Sequence, residues 1–385
     1  MKFLHLADLH IGKIVNEISM LDDQRHILGQ ILDLAVERGA DALVIAGDVY
    51  DKTIPSEDAV RTLSDFLTDA VSRGLKVLMI SGNHDSDERL AFGSGLFEAG
   101  GVYIGAKYEG EIRKSVLTDE FGPVNFYLLP FVKASMVRFY HPEEEMKTYG
   151  EAVRIAIREA DVKWEERNVI ISHQFVLGKG NIPEMAGSEK FRPEDMGTVE
   201  RVGSEVYEGF EYAALGHIHT PQEAGGRQIR YAGSPLVYSL SAKEIGREKT
   251  VPLVTLGKKG EEVEIELLPL IPKRRIRHIK GPIAQLLSRE NVTDPEDYIY
   301  ATLTDETPVP GAMDRLRSVY PNAMKLDYCN SHTKALEDLD LGDVAGEKSF
   351  DELMSDFYGT IIGGTPDEEE WAVLRAAARE AGVIS

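Results

Sequence analysis

"DALVIAGDVYD", Asp41 to Asp51, carries five consecutive apolar residues and then ends on Gly-Asp. A short unbroken apolar run of this kind reads as a buried strand. "KFLHLADLH" upstream and "LKVLMISGNHD" downstream read the same way. Between these runs, Leu21 to Arg38 and Ser56 to Arg73 carry helical periodicity. The resulting β-α-β-α-β rhythm predicts right-handed crossovers and a largely parallel sheet. Further along, the sequence predicts a strand near Val124 to Leu129, a helix from about Glu143 to Ala160, and the strand "NVIISHQ". From Glu211 to about Leu270 the apolar runs become short and are divided by Gly and Pro, which predicts an antiparallel second sheet. Two sheets flanked by helices give an α/β, four-layer αββα sandwich over residues 1–270.

"PLIPKRRIRHIKGP" reads as a domain boundary, with Pro269, Pro272 and Pro282 around a basic run. Residues 274–330 are expected to form a small α/β domain, and the polar stretch 331–348 a linker. Within 349–385, Ser349 to Tyr358 and Asp367 to Ala381 read as two short helices, a helical tail. No internal repeat is visible.

Composition narrows the function classes. At 385 residues the chain exceeds what a single core usually holds. It is 43% hydrophobic and 28% charged, ordinary for a globular protein. It has no apolar window of about 18 residues, so no membrane span is expected. "MKFLHLADLH" places Asp and His where a signal peptide needs an apolar stretch. Cys329 is the only cysteine, which excludes an internal disulfide and fits a reducing cytoplasm. The net charge of -22 argues against a generic nucleic-acid binder. However, Leu336 to Ser385 holds thirteen Asp/Glu against three Lys/Arg, so the tail carries -10 of that charge.

Five stretches carry the chemistry, each where an apolar strand stops: "ADLH" (Asp8, His10), "AGDVYD" (Asp48), "SGNHD" (Asn83, His84, Asp85), "ISHQ" (His173) and "LGHIH" (His217, His219). Ligands of open α/β sheets bind beyond the carboxyl ends of the strands, so five such ends converge on one crevice. Taken singly, each has an ordinary reading: a structural D-x-H, a Gly-Asn turn, a hydrogen-bonded core histidine. Taken together, they mix carboxylate, imidazole and amide oxygen without thiolate, which suits divalent Mn, Fe or Zn in a non-structural site. Seven candidate ligands suit two ions, and Asp48 on the central strand is the natural bridge. Two ions roughly 3.5–4 Å apart can activate water and stabilise an in-line displacement at phosphorus. His217 and His219, at i and i+2 on extended backbone, project to one side. His5, His26, His141, His278 and His332 are given no role.

With these motifs the chain resembles the calcineurin-like metallophosphoesterases. Within them "HLADLHIGK", "GDVYDKTIPS", "GNHDS", "ALGHIHTPQ" and "YAGSPLVYS" resemble the SbcD-type nuclease subunits of double-strand-break repair nuclease–ATPase complexes. The resemblance implies a manganese-dependent double-strand exonuclease and single-strand or hairpin endonuclease. It implies that Asp8, His10, Asp48 and His219 hold one ion, and Asp48, Asn83, His173 and His217 the other. His84 would then be a catalytic non-ligand that protonates the departing 3′ oxygen, a task an imidazole suits. Asp85 would orient its neighbours. Some relatives carry histidine where Asp51 stands, which leaves the balance of exo- and endonuclease action open.

The partners implied are double-stranded DNA ends and hairpins, an SbcC ATPase in a heterotetramer, and a second copy of this chain through helices near Ala91 and Ala134. Lys52, Lys273, Arg274, Arg275, Arg277 and Lys280 are candidate DNA contacts, the run at 273–280 reading equally as a solvated strand at a junction. Residues 274–330 correspond to the family's DNA-capping domain. Phe350, Leu353, Phe357 and Tyr358 recur at helical spacing and would dock in a groove of the ATPase, or else pack on their own domain. Two other classes remain: a metallophosphoesterase acting on a small phosphodiester or a phosphoprotein, and a metal-stabilised scaffold. Lys52 after Asp51 departs from the phosphoprotein phosphatase pattern, and His84 is superfluous to a scaffold.

Overall fold

Unbroken apolar runs in the central strands give each sheet two faces to bury, one against the other sheet and one against helices. The computed structural model describes residues 1–178, 182–189, 200–331, 333, 349–361 and 364–380. They form two units, Met1–Ile276 and Arg277–Ser385.

In the first unit, one six-stranded sheet contains β1 (Lys2–Leu6), β2 (Ala42–Ala46), β3 (Lys76–Ile80), β4 (Val102–Gly105), β11 (Lys249–Thr255) and β12 (Glu264–Leu270). Its order is β12-β11-β1-β2-β3-β4. β1 to β4 run parallel, β11 pairs antiparallel with β1, and β12 pairs antiparallel with β11 at the sheet's edge. The second six-stranded sheet contains β5 (Arg113–Asp119), β6 (Gly122–Leu129), β7 (Arg167–His173), β8 (Tyr212–Gly216), β9 (Gln222–Gly226) and β10 (Ile229–Tyr231). Its order is β9-β10-β8-β7-β6-β5, with β6, β7, β8 and β10 mutually parallel.

Phe3, Val44 and Leu78 of the first sheet share one core with Phe126, Val169 and Ala214 of the second. On the outer face of the second sheet, Tyr127, Ile170 and Leu215 pack with Val137 of α5 (Ala134–Tyr140) and Val153 of α6 (Tyr149–Glu159). The first sheet is flanked by α1 (Leu21–Glu37), which buries Ile27, Leu28, Ile31 and Leu32, and α2 (Glu57–Ser72), which buries Leu63 and Phe66. Two shorter helices follow β3, namely α3 (Asp87–Ala91) and α4 (Ser94–Ala99). The architecture is the four-layer αββα sandwich.

Two expectations need correction. Residues 211–270 do not make an antiparallel sheet of their own. β8 joins β7 and β10 in parallel, while β11 and β12 return to the first sheet. Short Gly- and Pro-divided runs mark strands but not their partners, which the inter-sheet core selects. The helix expected from Glu143 instead begins at Tyr149. Thr148 and Glu151 form a capping box there: Thr148 Oγ1 accepts from Glu151 N at 3.2 Å, and Glu151 Oε2 from Thr148 N at 2.9 Å.

In the second unit, β13 (Ile276–Gly281), β14 (Tyr298–Leu303) and β15 (Ala323–Tyr328) form a three-stranded sheet in that order. It carries α7 (Ile283–Leu286) and α8 (Ala312–Arg317), with Ile299, Ala301, Leu316 and Tyr320 in its core. The helices α9 (Phe350–Ile361) and α10 (Glu368–Glu380) are joined by an Arg375–Asp351 ion pair of 2.7 Å. Nearly all of the expected linker, 331–348, lies outside the described residues. Among the described residues no helix is long and apolar enough to cross a membrane.

Candidate metal centre

Because β1, β2 and β3 are parallel, Asp8, Asp48 and Asn83 follow them at the same edge of the first sheet. β7 and β8 are parallel in the second sheet and deliver His173 and His217 at their own carboxyl ends. The two edges are sewn together directly. His173 Nδ1–H donates to Ala46 O at 2.8 Å, which turns its Nε2 toward the crevice. His217 N donates to Asp8 Oδ1 at 3.0 Å, while within the first sheet's edge His10 N donates to Asp48 O at 2.9 Å.

The side-chain donors fall into two clusters. In one, the Nε2 atoms of His10 and His219 face each other at 3.0 Å, with an Asp8 carboxylate oxygen within 4.8 Å of a donor nitrogen on each ring. In the other, Asn83 Oδ1 lies 2.9 Å from His217 Nδ1 and 3.2 Å from His173 Nε2. Asp48 Oδ2 stands between them, 3.7 Å from His10 Nε2 and 3.4 Å from His173 Nε2. Asp8 also groups with Asp48 and His173. All seven expected ligands are therefore together. All are buried except Asn83, which is exposed.

His84 enters the same neighbourhood and also groups with His10 and Asp48. Its backbone N–H donates to Asp48 Oδ1 at 2.9 Å, and its Nδ1–H to Asp51 O at 3.0 Å. The buried Asp85 carboxylate accepts three backbone N–H groups, from Val49 (3.0 Å), Tyr50 (2.9 Å) and Gly82 (2.9 Å). It thus ties the loop after β2 to the loop after β3. Gly82 must be glycine for that approach, since a Cβ there would lie 2.2 Å from Asp48 Oδ1.

The backbone itself is strained at the centre. Asp8 (φ 52°), His10 (φ 44°), Asp48 (φ 47°) and His217 (φ 102°) all sit at positive φ without being glycine. Such conformations cost on the order of 1–3 kcal/mol each and persist where surrounding contacts enforce them.

The donor set fits divalent cations. Burial pushes the His10 and His217 imidazoles down to about 3 and holds that of His219 well below the ordinary imidazole range, so they present lone pairs rather than protons. Burial pushes the Asp8 carboxyl up to about 8, with Asp48 adding to the rise against His173. For Asp48 burial acts in the same upward direction, yet His173, by charge and hydrogen bond, holds it well below the usual carboxylate range. The same pair raises His173 to about 9 against its own burial. A buried assembly of carboxylates and neutral imidazoles that leans on a protonated histidine for its positive charge is one a cation completes. Buried His10 Nδ1 finds no hydrogen-bond partner, its nearest carboxylate being Asp51 Oδ1 at 3.7 Å.

Two supporting residues carry no motif. Gln24 Nε2, on α1, donates to His10 O at 2.8 Å and to Tyr238 OH at 3.0 Å, and that hydroxyl donates to Leu9 O at 2.6 Å. This network holds the positive-φ turn of His10. Tyr238 lies in the quoted "YAGSPLVYS", but no spacing rule marks Gln24.

The basic candidates divide. Lys273 pairs with Asp22 at 2.6 Å, Arg274 with Asp23 at 2.8 Å and Arg277 with Asp297 at 2.7 Å, so their charge is shared with carboxylates. Lys280 Nζ lies 3.3 Å from Cys329 Sγ. Lys52 and Arg275 are exposed. On α9, Phe357 is exposed, while Phe350, Leu353 and Tyr358 are half-buried.

The family model for calcineurin-like phosphoesterases matches residues 1–221. The SbcD_C model, described as a Type 5 capsule protein repressor C-terminal domain, matches residues 272–360. Among solved structures, the chain is similar to TT1561 of Thermus thermophilus. The two are 14% identical, with 69% of this chain and 98% of that chain covered and a TM-score of 0.39. The clustered Asp and His side chains are those of a metal-dependent phosphoesterase, and the chain belongs to the calcineurin-like phosphoesterase family.

Proposed function

We propose that this phosphoesterase is a manganese-dependent DNA nuclease, cutting double-stranded ends exonucleolytically and single strands or hairpins endonucleolytically, together with an SbcC-type ATPase. The observation that carries the reading is the pairing, in one chain, of the Asp/His centre with a C-terminal region matched by the SbcD_C model. Asp8, His10, Asp48 and His219 hold one cation, and Asp48, Asn83, His173 and His217 the other. When bound, the two ions supply Lewis-acid stabilisation of the phosphodiester oxygens.

The chain's own residues do the rest. His84 Nδ1–H is committed to Asp51 O, so Nε2 is the atom free to hold a proton for the departing 3′ oxygen. The His84 ring packs edge-on to His10 at 4.8 Å between centroids, which keeps it beside the scissile phosphate. Asp85 fixes the Asp48 and Asn83 loops in register. A cleft of about 430 Å³ adjoins Asn83 and His217 and is lined by Phe131, Tyr149, Phe175 and Lys133. Its aromatic faces suit a nucleotide base, while Asp85, Asp87 and Glu200 outnumber Lys133 in the lining and leave the phosphate to the cations.

Partners follow the same logic. Phe92 and Leu96, each 82% exposed, and Phe139, 78% exposed, form apolar surface on and beside α3, α4 and α5 that supports a homodimer. The exposed side of α9 supports docking to the ATPase, giving a heterotetramer. Residues 274–330 act as the DNA-capping domain, with Arg275 and Lys280 on it and Lys52 on the first unit as phosphate contacts.

The test is degradation of linear double-stranded DNA with Mn²⁺, on blocked and free ends, with and without the ATPase. His84→Ala is expected to lower the rate by about 100-fold or more while retaining two ions by metal analysis. A variant that cuts at the full rate would show that His84 is not the acid.

A further inference from the structure

His219 is held at every polar atom but one, and most of what holds it lies in no motif. Its Nδ1 is 2.6 Å from Ser188 Oγ. Its backbone N–H donates to Glu189 Oε1 at 3.0 Å. Its carbonyl accepts from Ser234 N at 3.1 Å and from the buried Lys249 ammonium at 3.3 Å. Only Nε2 remains, and it faces His10 in the crevice.

Ser188 and Glu189 are themselves fastened. Glu189 accepts from Ala186 N at 3.2 Å and Gly187 N at 2.8 Å, which closes the turn that presents Ser188. Gly187 sits at φ 93°, and a Cβ there would lie 3.1 Å from Ser241. Ser241 Oγ donates to Ala186 O, and Gln222 brackets Glu184 by accepting from its N at 2.9 Å and donating to its O at 2.8 Å. Residues 184–189 therefore form a strap sewn to the segments on either side of β9 and β10, with its serine aimed at a buried imidazole.

We propose that Ser188 and Glu189 are positioning residues that set the place and ring orientation of His219, and so tune the ion held by Asp8, His10, Asp48 and His219 rather than its partner ion. With Nδ1 donating to Ser188 Oγ, Nε2 is left unprotonated and can bind a cation. Glu189 fixes where the ring starts by holding the backbone from which it projects. In the other cluster His173 Nδ1 donates to the Ala46 backbone carbonyl and His217 N to Asp8 Oδ1, and neither bond involves the strap. The strap thus gives the two sites different support. This inference rests on the two-ion reading above.

The experiment is a two-site Mn²⁺ titration of the full chain by calorimetry, with metal analysis after gel filtration and melting of the metal-free protein. Ser188→Ala and Glu189→Gln are expected to weaken one site by about 10- to 100-fold and leave the other within a factor of two, with Ser188→Thr restoring it. The metal-free melting temperature of Ser188→Ala should stay close to wild type. His219→Ala serves as the reference and should remove one ion outright. If His219→Ala loses no ion, the two-ion reading fails. If it loses one ion while Ser188→Ala binds both like wild type, or weakens both equally, the positioning role is overturned.

Discussion

Gly216 stands where the two sheets touch. A Cβ there would lie 1.9 Å from Ala46 O and 2.8 Å from His173 Nδ1, the two partners of the bond that aims His173. Gly216→Ala must push β8 from β2 or turn the imidazole, since backbone cannot yield as a flexible side chain can. It is expected to cost about 1–3 kcal/mol in urea unfolding and to lower metal content below wild type. Unchanged stability with full metal content would show that the sheets can separate freely there. At this scale the sequence was partly legible. Ligand types were readable because each interrupts an apolar run at its carboxyl end, where a polar side chain needs a reason. The strain at His10 and His217 was not, because histidine does not announce positive φ. Ser188 and Glu189 were invisible for a different reason: they precede His219 by about thirty residues in a stretch without periodicity.

β7 links two sites of opposite character. At its end lies His173, and at its start Arg167 is buried at 3% exposure, forked on Asp119 at 2.5 and 3.0 Å. Arg167 also donates to Gly122 O at 2.6 Å and Gly257 O at 2.9 Å, so one guanidinium fastens β7 to the β5–β6 turn and to the turn after β11. The guanidinium holds the Asp119 carboxyl well below the usual carboxylate range. The sign follows. A depressed native value contributes stability above the unfolded value near pH 4, and that contribution is lost as pH falls toward the native one. Asp119→Asn strands a buried cation and is expected to cost about 3 kcal/mol at pH 7. The gap to wild type should shrink as unfolding is repeated from pH 5 down to pH 3; a gap independent of pH would dismiss the ion pair as its source. That β7 is a strand was legible from "NVIISHQ"; that β11 and β12 leave the second sheet for the first was not. Apolar alternation identifies a strand, but both faces of this sandwich are apolar, so nothing local says which sheet receives it.

Between the two units, function is unevenly placed. All seven candidate ligands, His84, and every hydrogen bond described around them lie within Met1–Ile276. The second unit offers its own small core and a helical pair in an acidic setting, which the sequence marked by composition more than by pattern. Cation binding should therefore stabilise one unit alone. Each site occupied at 100 times its dissociation constant adds about 2.7 kcal/mol to the unit that contains it. Two sites would raise the melting of the first unit by on the order of 10 °C. The chain supplies its own probes, since it has two tryptophans and each unit contains one. Trp164 packs edge-on against Phe210 at 5.1 Å between centroids, and Trp371 lies under the Arg375 guanidinium at 5.0 Å. In a Trp371→Phe variant, fluorescence follows the first unit, and in Trp164→Phe the second. A chelator should lower the transition seen by Trp164 and leave that seen by Trp371 within a degree. If both move together, the cations bind beyond the Asp/His centre or the two units unfold as one, and running the comparison in an Asp48→Ala background, which removes the ligand shared by both ions, separates those cases, because only the first survives loss of that ligand.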